Sequence, residues 1–111
     1  MQRSSVPGTF SEADMKRYRT AWAQPGAATG MVNWYRAMWQ ARPRRLASVR
    51  ITVPTLVLWG LRDNVLGAEM IQPSLDLCDD GRLVAFDDAT HWVAHEKPDA
   101  VNRRLLEFLS A

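Results

Sequence analysis

The chain has 111 residues, 47% of them hydrophobic and 23% charged, a balance that suits one ordinary globular domain. Five tryptophans argue against a disordered chain, which would be poor in aromatics. The formal charge is only +2, and no long basic run is interleaved with aromatics or glycines, so nucleic acid is not expected as a partner.

Met1 to Phe10 is polar and has no apolar stretch of the kind a targeting segment needs. Ser11 followed by Asp14 has the spacing of a capping box, with the shorter acid in the reciprocal position. Met15, Tyr18 and Trp22 then share one face of a helix. Pro25-Gly26 stops it. A second helical pattern runs through Met31, Trp34, Tyr35, Met38 and Trp39, read most simply as packing residues, and Pro43 is expected to end it. Arg42, Arg44, Arg45 and Arg50 form the densest basic stretch. With Pro43 they read as a solvated connector between two unlike halves.

The second half alternates strand and helix patterns. Thr55-Leu56-Val57-Leu58-Trp59-Gly60 is a short, continuous apolar run, typical of a strand covered on both faces. It is far too short to cross a bilayer, so no membrane is expected and a cytoplasmic location is the default. Gly67 to Leu77 reads as helical, kinked or divided at Pro73. Arg82 to Phe86 is a second strand. Pro98 opens a last helix at the first-turn position that proline favours, with Val101, Leu105, Phe108 and Leu109 as its apolar stripe. Strand, helix, strand, helix implies a parallel β-α-β-α unit with a right-handed crossover. Two parallel strands do not make a stable sheet alone, so this is expected to be an incomplete sheet, part of a larger α/β fold.

Cys78 is the only cysteine, which leaves no intrachain disulfide and no cysteine-based zinc site. His91 and His95 are four apart, but Trp92 stands where a zinc-protease pattern needs Glu. No metal and no cofactor are expected.

Functional groups of open α/β sheets collect beyond the carboxyl ends of the strands. Asp63 follows the first strand and His91 the second, and neighbouring parallel strands lie about 5 Å apart. A carboxylate that fixes an imidazole's tautomer and stabilises its cation is two-thirds of a catalytic triad. Taken singly, Asp63 reads equally as a turn residue or helix cap, and His91 as a surface or structural histidine.

The run Val53-Pro54-Thr55-Leu56-Val57-Leu58-Trp59-Gly60-Leu61-Arg62-Asp63 resembles the acid-bearing strand and loop of α/β-hydrolases. Thr90-His91-Trp92, with Glu96-Lys97-Pro98-Asp99-Ala100-Val101-Asn102 after it, resembles their histidine loop and last helix. Asn33-Trp34-Tyr35-Arg36 is similar to the lid of soluble epoxide hydrolases, a resemblance shared by lids of related hydrolases and dehalogenases. The resemblance implies the C-terminal portion of an α/β-hydrolase fold. Residues 1–45 would be the end of the helical lid, or cap, and 46–111 the C-terminal part of the core. It implies Asp63 and His91 as triad acid and histidine. It gives Tyr35 a hydrogen bond to the epoxide oxygen, against the alternative of a tyrosine packed beside Trp34 and Trp39.

The departure from the family pattern is the nucleophile. No G-x-S-x-G or G-x-D-x-G elbow occurs. Gly26 and Gly30 have the spacing, but Ala28 stands at the centre, after a helix rather than a strand. The resemblance therefore implies an epoxide hydrolase-like hydrolase whose nucleophile lies outside this chain, acting on a small apolar epoxide, halide or ester. A dehalogenase or a serine esterase of the same fold, or a non-catalytic remnant, are the alternatives. The expected partner of the chain is the missing N-terminal half, or a second copy of itself.

Overall fold

A computed structural model describes residues 1–40 and 48–110. In chain order these hold α1 (Glu12–Trp22), α2 (Ala27–Gln40), β1 (Thr55–Gly60), a 3-10 turn (Ala68–Met70), α3 (Ile71–Leu75), β2 (Gly81–Phe86), α4 (Val93–Glu96) and α5 (Pro98–Leu109). They divide into two compact units, one of Met1–Thr9 with Ser48–Ala111 and one of Phe10–Ala47.

The helical unit follows its local signals. Ser11 accepts a hydrogen bond from the Asp14 amide and Asp14 answers with the Ser11 amide, so the capping box is complete. Met15 is buried, the Tyr18 ring stacks on Trp22 at 5.6 Å, and Phe10 meets Tyr18 edge-on at 6.0 Å. Gly26 turns the chain between the helices with φ +79°, a conformation that favours glycine. The aromatics of α2 are not packing residues here. No residue of the helix is buried, and Trp34 and Trp39 are 73% and 90% exposed. Pro43, Arg42, Arg44 and Arg45 lie outside the described residues, so the expected helix stop and most of the connector do too.

The other unit is built on β1 and β2, which pair in parallel with Thr55 opposite Gly81 and Gly60 opposite Phe86. Three differences from the sequence expectation have physical reasons. β1 is half-buried rather than covered on both faces: among the described residues its main packing partners are one strand, β2, and the helices α4 and α5. The helical stretch after β1 divides at Met70/Ile71, ahead of Pro73, so proline occupies the third position of α3, where a first-turn amide has no intrahelical partner to lose. Arg50 is exposed, as expected of a solvated connector, but it is also held in place. Its guanidinium donates to Asp79 Oδ1 at 3.0 Å through Nε and to the carbonyls of Asp76 and Cys78 at 2.5 and 3.1 Å. The clamp fixes the approach to β2 beside the bridge between Ile51 and Cys78.

Residues 1–9, placed by sequence with the helical half, pack instead in the strand unit. Trp92 Nε1 donates to Ser4 Oγ at 2.9 Å, and the Val6 amide donates to Glu96 Oε1 at 2.7 Å. The buried apolar side chains of this unit among the described residues are Ile71, Ala89 and Val101. On α5 the expected stripe is only partly covered. Val101 is buried and Phe108 half-buried under the Arg82 guanidinium, while Leu109 stays outside.

Candidate functional site

The carboxyl ends of β1 and β2 are locked together by backbone. The Leu61 amide donates to the Phe86 carbonyl and the Arg62 amide to the Ala89 carbonyl, both at 2.9 Å. Gly60 makes that approach possible. A Cβ there would stand 2.3 Å from the Thr90 carbonyl oxygen and 2.5 Å from that of Ala89. Ala89 is wholly buried at this seam. Sequence reading treated Gly60 only as part of a motif, although a glycine closing a strand is itself a signal of close backbone approach.

Asp63 and His91 leave this seam side by side. His91 Nδ1 lies 2.9 Å from Asp63 Oδ2. The other carboxylate oxygen, Oδ1, accepts from the amides of Val65 and Leu66 at 2.8 and 3.0 Å. One oxygen is thus pinned by the turn that follows β1, and the other is aimed at the imidazole. The expected turn role of Asp63 is carried by Oδ1, and Oδ2 is left to face the imidazole. The Asp63 side chain is 7% exposed and that of His91 36%. Burial pushes the Asp63 carboxyl up. Hydrogen bonds from the Leu66 amide, His91 and the Val65 amide, with the attraction of a protonated His91, outweigh it and leave the group below its ordinary value.

With Nδ1 engaged, Nε2 is the ring atom left to exchange protons, and it has no hydrogen bond among the described residues. A pocket of about 160 Å³ opens beside the pair, lined by Leu58, Trp59, Leu66 and Val93 as well as Asp63 and His91. The indole Nε1 of Trp59 is buried without a hydrogen-bond partner among the described residues. Chemically, an imidazole oriented on one side and open on the other has the geometry that general-base chemistry requires.

Tyr35 belongs to the other unit, on α2, and is 65% exposed. Cys78 is a free, half-buried thiol whose Sγ donates to the Ser74 carbonyl at 3.4 Å. His95 meets the Trp92 ring edge-on at 6.0 Å. Among the described residues no group of three or more His, Cys, Asp and Glu side chains gathers in a way that could hold a metal ion, and no helix is long and apolar enough to cross a membrane. The residue that sequence reasoning missed is Glu96. It accepts the Thr90 amide at 2.6 Å and the Thr90 hydroxyl at 2.7 Å, directly behind His91. A six-residue separation across a loop has no periodicity that would have announced it.

No protein-family model matches the chain. An AB hydrolase superfamily protein of Bacillus subtilis, YfhM, is 41% identical over 106 residues, covering 96% of this chain and 37% of the relative. Epoxide hydrolase 2 of Caenorhabditis elegans is 34% identical over 103 residues, covering 91% of this chain and 28% of the relative. The chain therefore spans only about a quarter to little more than a third of the length of the curated relatives it matches. Among solved structures, an epoxide hydrolase of Bacillus megaterium in complex with an inhibitor superposes with a TM-score of 0.78 at 22% identity, over 94% of this chain and 39% of that one. The last likeness speaks for the fold, an incomplete C-terminal portion of the α/β-hydrolase architecture.

Proposed function

Because the chain is the C-terminal part of an epoxide hydrolase-like α/β-hydrolase, we propose that it supplies the acid and the histidine of a nucleophile-acid-histidine triad, Asp63 and His91, to an enzyme that opens epoxides. The observation that carries this reading is the 2.9 Å contact of His91 Nδ1 with Asp63 Oδ2 at the ends of two paired parallel strands.

The chemistry follows from that contact. An aspartate outside this chain attacks an epoxide carbon. One C–O bond breaks, an alkyl-enzyme ester forms, and the ring oxygen, still bonded to the neighbouring carbon, becomes an alkoxide that takes a proton from solvent. Tyr35 is the proposed hydrogen-bond donor to that oxygen, a donor placed where negative charge develops. His91 Nε2 then removes a proton from water as the water oxygen adds to the ester carbonyl. The imidazolium that results is stabilised by Asp63. Collapse of the tetrahedral adduct passes the imidazolium proton to the departing alkoxide and releases a diol, and the aspartic acid left behind returns its proton to solvent, balancing the one taken up at ring opening. In this reading the unit Phe10–Ala47 is the end of the cap, and the substrate is a small apolar epoxide. The chain alone turns nothing over, since it has no nucleophile.

The test uses a polypeptide in which this chain follows a nucleophile-bearing hydrolase half. His91→Ala there is expected to stop the second step but not the first, so an enzyme-substrate adduct accumulates and is seen by intact mass. Epoxide turnover undiminished by the substitution would end the proposal. An adduct formed on an upstream serine with ester substrates would favour a serine esterase instead, and one formed from a haloalkane with halide release would favour a dehalogenase.

A further inference from the structure

Glu96 ties together the backbone on both sides of His91. Its Oε2 takes the Thr90 amide at 2.6 Å, and its Oε1 takes the Thr90 hydroxyl and the Val6 amide, each at 2.7 Å. The Thr90 hydroxyl oxygen in turn accepts from the Trp92 amide at 3.3 Å. On the far side of His91, the Trp92 indole donates to Ser4 Oγ, and Ser4 is itself held to the Met1 carbonyl at 3.1 Å. The residues flanking the imidazole are thus both gripped by residues 1–9, once directly and once through Glu96. The carboxylate faces three donors and no acceptor, and the contacts to the Thr90 amide, the Val6 amide and the Thr90 hydroxyl pull its proton affinity below the ordinary value against the opposing effect of burial. A neutral amide cannot replace it. One end of a glutamine side chain is a donor, so whichever way it turns a donor meets a donor.

We propose that Glu96 is a positioning residue for His91, and that residues 1–9 act through it as a strap holding the imidazole against Asp63. The use to which His91 is put rests on the hydrolase reading above; the positioning itself does not. The physical argument is one of leverage. The imidazole direction is set by the backbone at 90–92, and only about half an ångström of error is tolerated in an oriented acid-base pair. Without the carboxylate, the Thr90 amide and the Thr90 hydroxyl proton lose their acceptor among the described residues, and the loop relaxes.

The full chain contains two histidines, so selective ¹⁵N-histidine labelling leaves two imidazoles to be read. In the parent, neutral His91 is expected to carry its proton on Nδ1, facing Asp63. In Glu96→Gln the ratio of Nδ1–H to Nε2–H tautomers is expected to fall by about fivefold, the worth of one ordinary hydrogen bond. Glu96→Asp keeps the charge but loses the reach, and is expected to behave like Gln rather than rescue. Ser4→Ala, which releases only the strap's hold on Trp92, should shift the ratio the same way by less. Amide protection of β1, β2 and α5 reports whether each variant is folded. A folded Glu96→Gln chain with the parent's tautomer ratio overturns the proposal. If Glu96→Gln does not fold, Thr90→Val, which removes the hydroxyl at constant shape, takes its place, and an unchanged ratio there overturns it equally. A tautomer ratio that follows Glu96, in an assembled enzyme indifferent to His91→Ala, would sink the hydrolase reading alone. Hydrolysis that depends on His91, with a ratio indifferent to Glu96, would sink the positioning role alone.

Discussion

At the scale of single residues, Asp63 divides its two oxygens between different tasks. Oδ1 is satisfied by the Val65 and Leu66 amides and Oδ2 by His91. Asparagine at 63 can present only one oxygen, and the turn amides compete with the imidazole for it. Under the proposed hydrolase reading, Asp63→Asn in the assembled enzyme is therefore expected to slow hydrolysis of the covalent intermediate, by up to about 10⁴-fold if the wrong tautomer dominates as it does in serine triads. Single-turnover measurement of adduct decay checks this. The two carboxylates also set an acid limit. Asp63 and Glu96 both lie below their ordinary values in the folded chain. A group whose pKa is lowered by folding contributes stability above its unfolded value, and that contribution is lost as pH falls through the folded one. The thermal midpoint should therefore hold from neutrality down to about pH 5 and decline below about pH 4. In a Asp63→Asn, Glu96→Gln double variant the starting midpoint should be lower and the acid decline shallower. A midpoint profile identical in shape for the two proteins would contradict the assignment.

At the scale of elements, the seam between β1 and the His91 loop has no slack. Gly60→Ala puts a methyl group within 2.3–2.7 Å of three backbone atoms of residues 89 and 90, and backbone cannot rotate away as a side chain can. The expected loss is about 1–3 kcal/mol, read as a lowered denaturation midpoint, together with faster exchange of the Arg62 amide that now donates to Ala89. The helical unit offers a contrast. Ser11→Ala removes half of a capping box and should cost about 1 kcal/mol, confined to exchange protection in α1. If the two substitutions destabilised both units equally, the division into separately packed units would not describe how the chain unfolds.

At the scale of the whole molecule, the sheet is the weak point. Two strands leave each with an unpaired edge among the described residues, and β1 is apolar and half-buried. Unpaired strand edges and exposed aromatic surfaces both favour association. The α2 surface adds Met31, Trp34, Met38 and Trp39, all exposed. Among the described residues no large side chain is fully buried. The isolated chain is expected to sediment with a weight-average mass that rises with concentration, and to unfold over a broad range of denaturant rather than in one steep step. Replacing Trp34 and Trp39 with glutamine should reduce the association without altering His91. A monodisperse monomer with a single sharp transition would mean that these surfaces are covered in solution.

What the sequence by itself determined is what local rules govern. The capping box at Ser11, the stop at Pro25-Gly26, the two strands and the proline that opens α5 were all legible, because propensity, capping and periodicity act over a few residues. The placement of Asp63 and His91 after adjacent parallel strands was legible too, since topology confines such groups to one end of a sheet. The tertiary structure alone decided which atoms meet. The Asp63–His91 contact joins residues 28 apart, and the Glu96 and Trp92 contacts to the N-terminal strap join residues 90 and 88 apart. It also decided that residues 1–9 pack with the strands, that Arg50 clamps the approach to β2, and that the α2 aromatics stand in solvent. Contacts at such separations depend on where the chain returns in space, and hydrogen bonds between side chains and distant backbone leave no period in a sequence from which to read them.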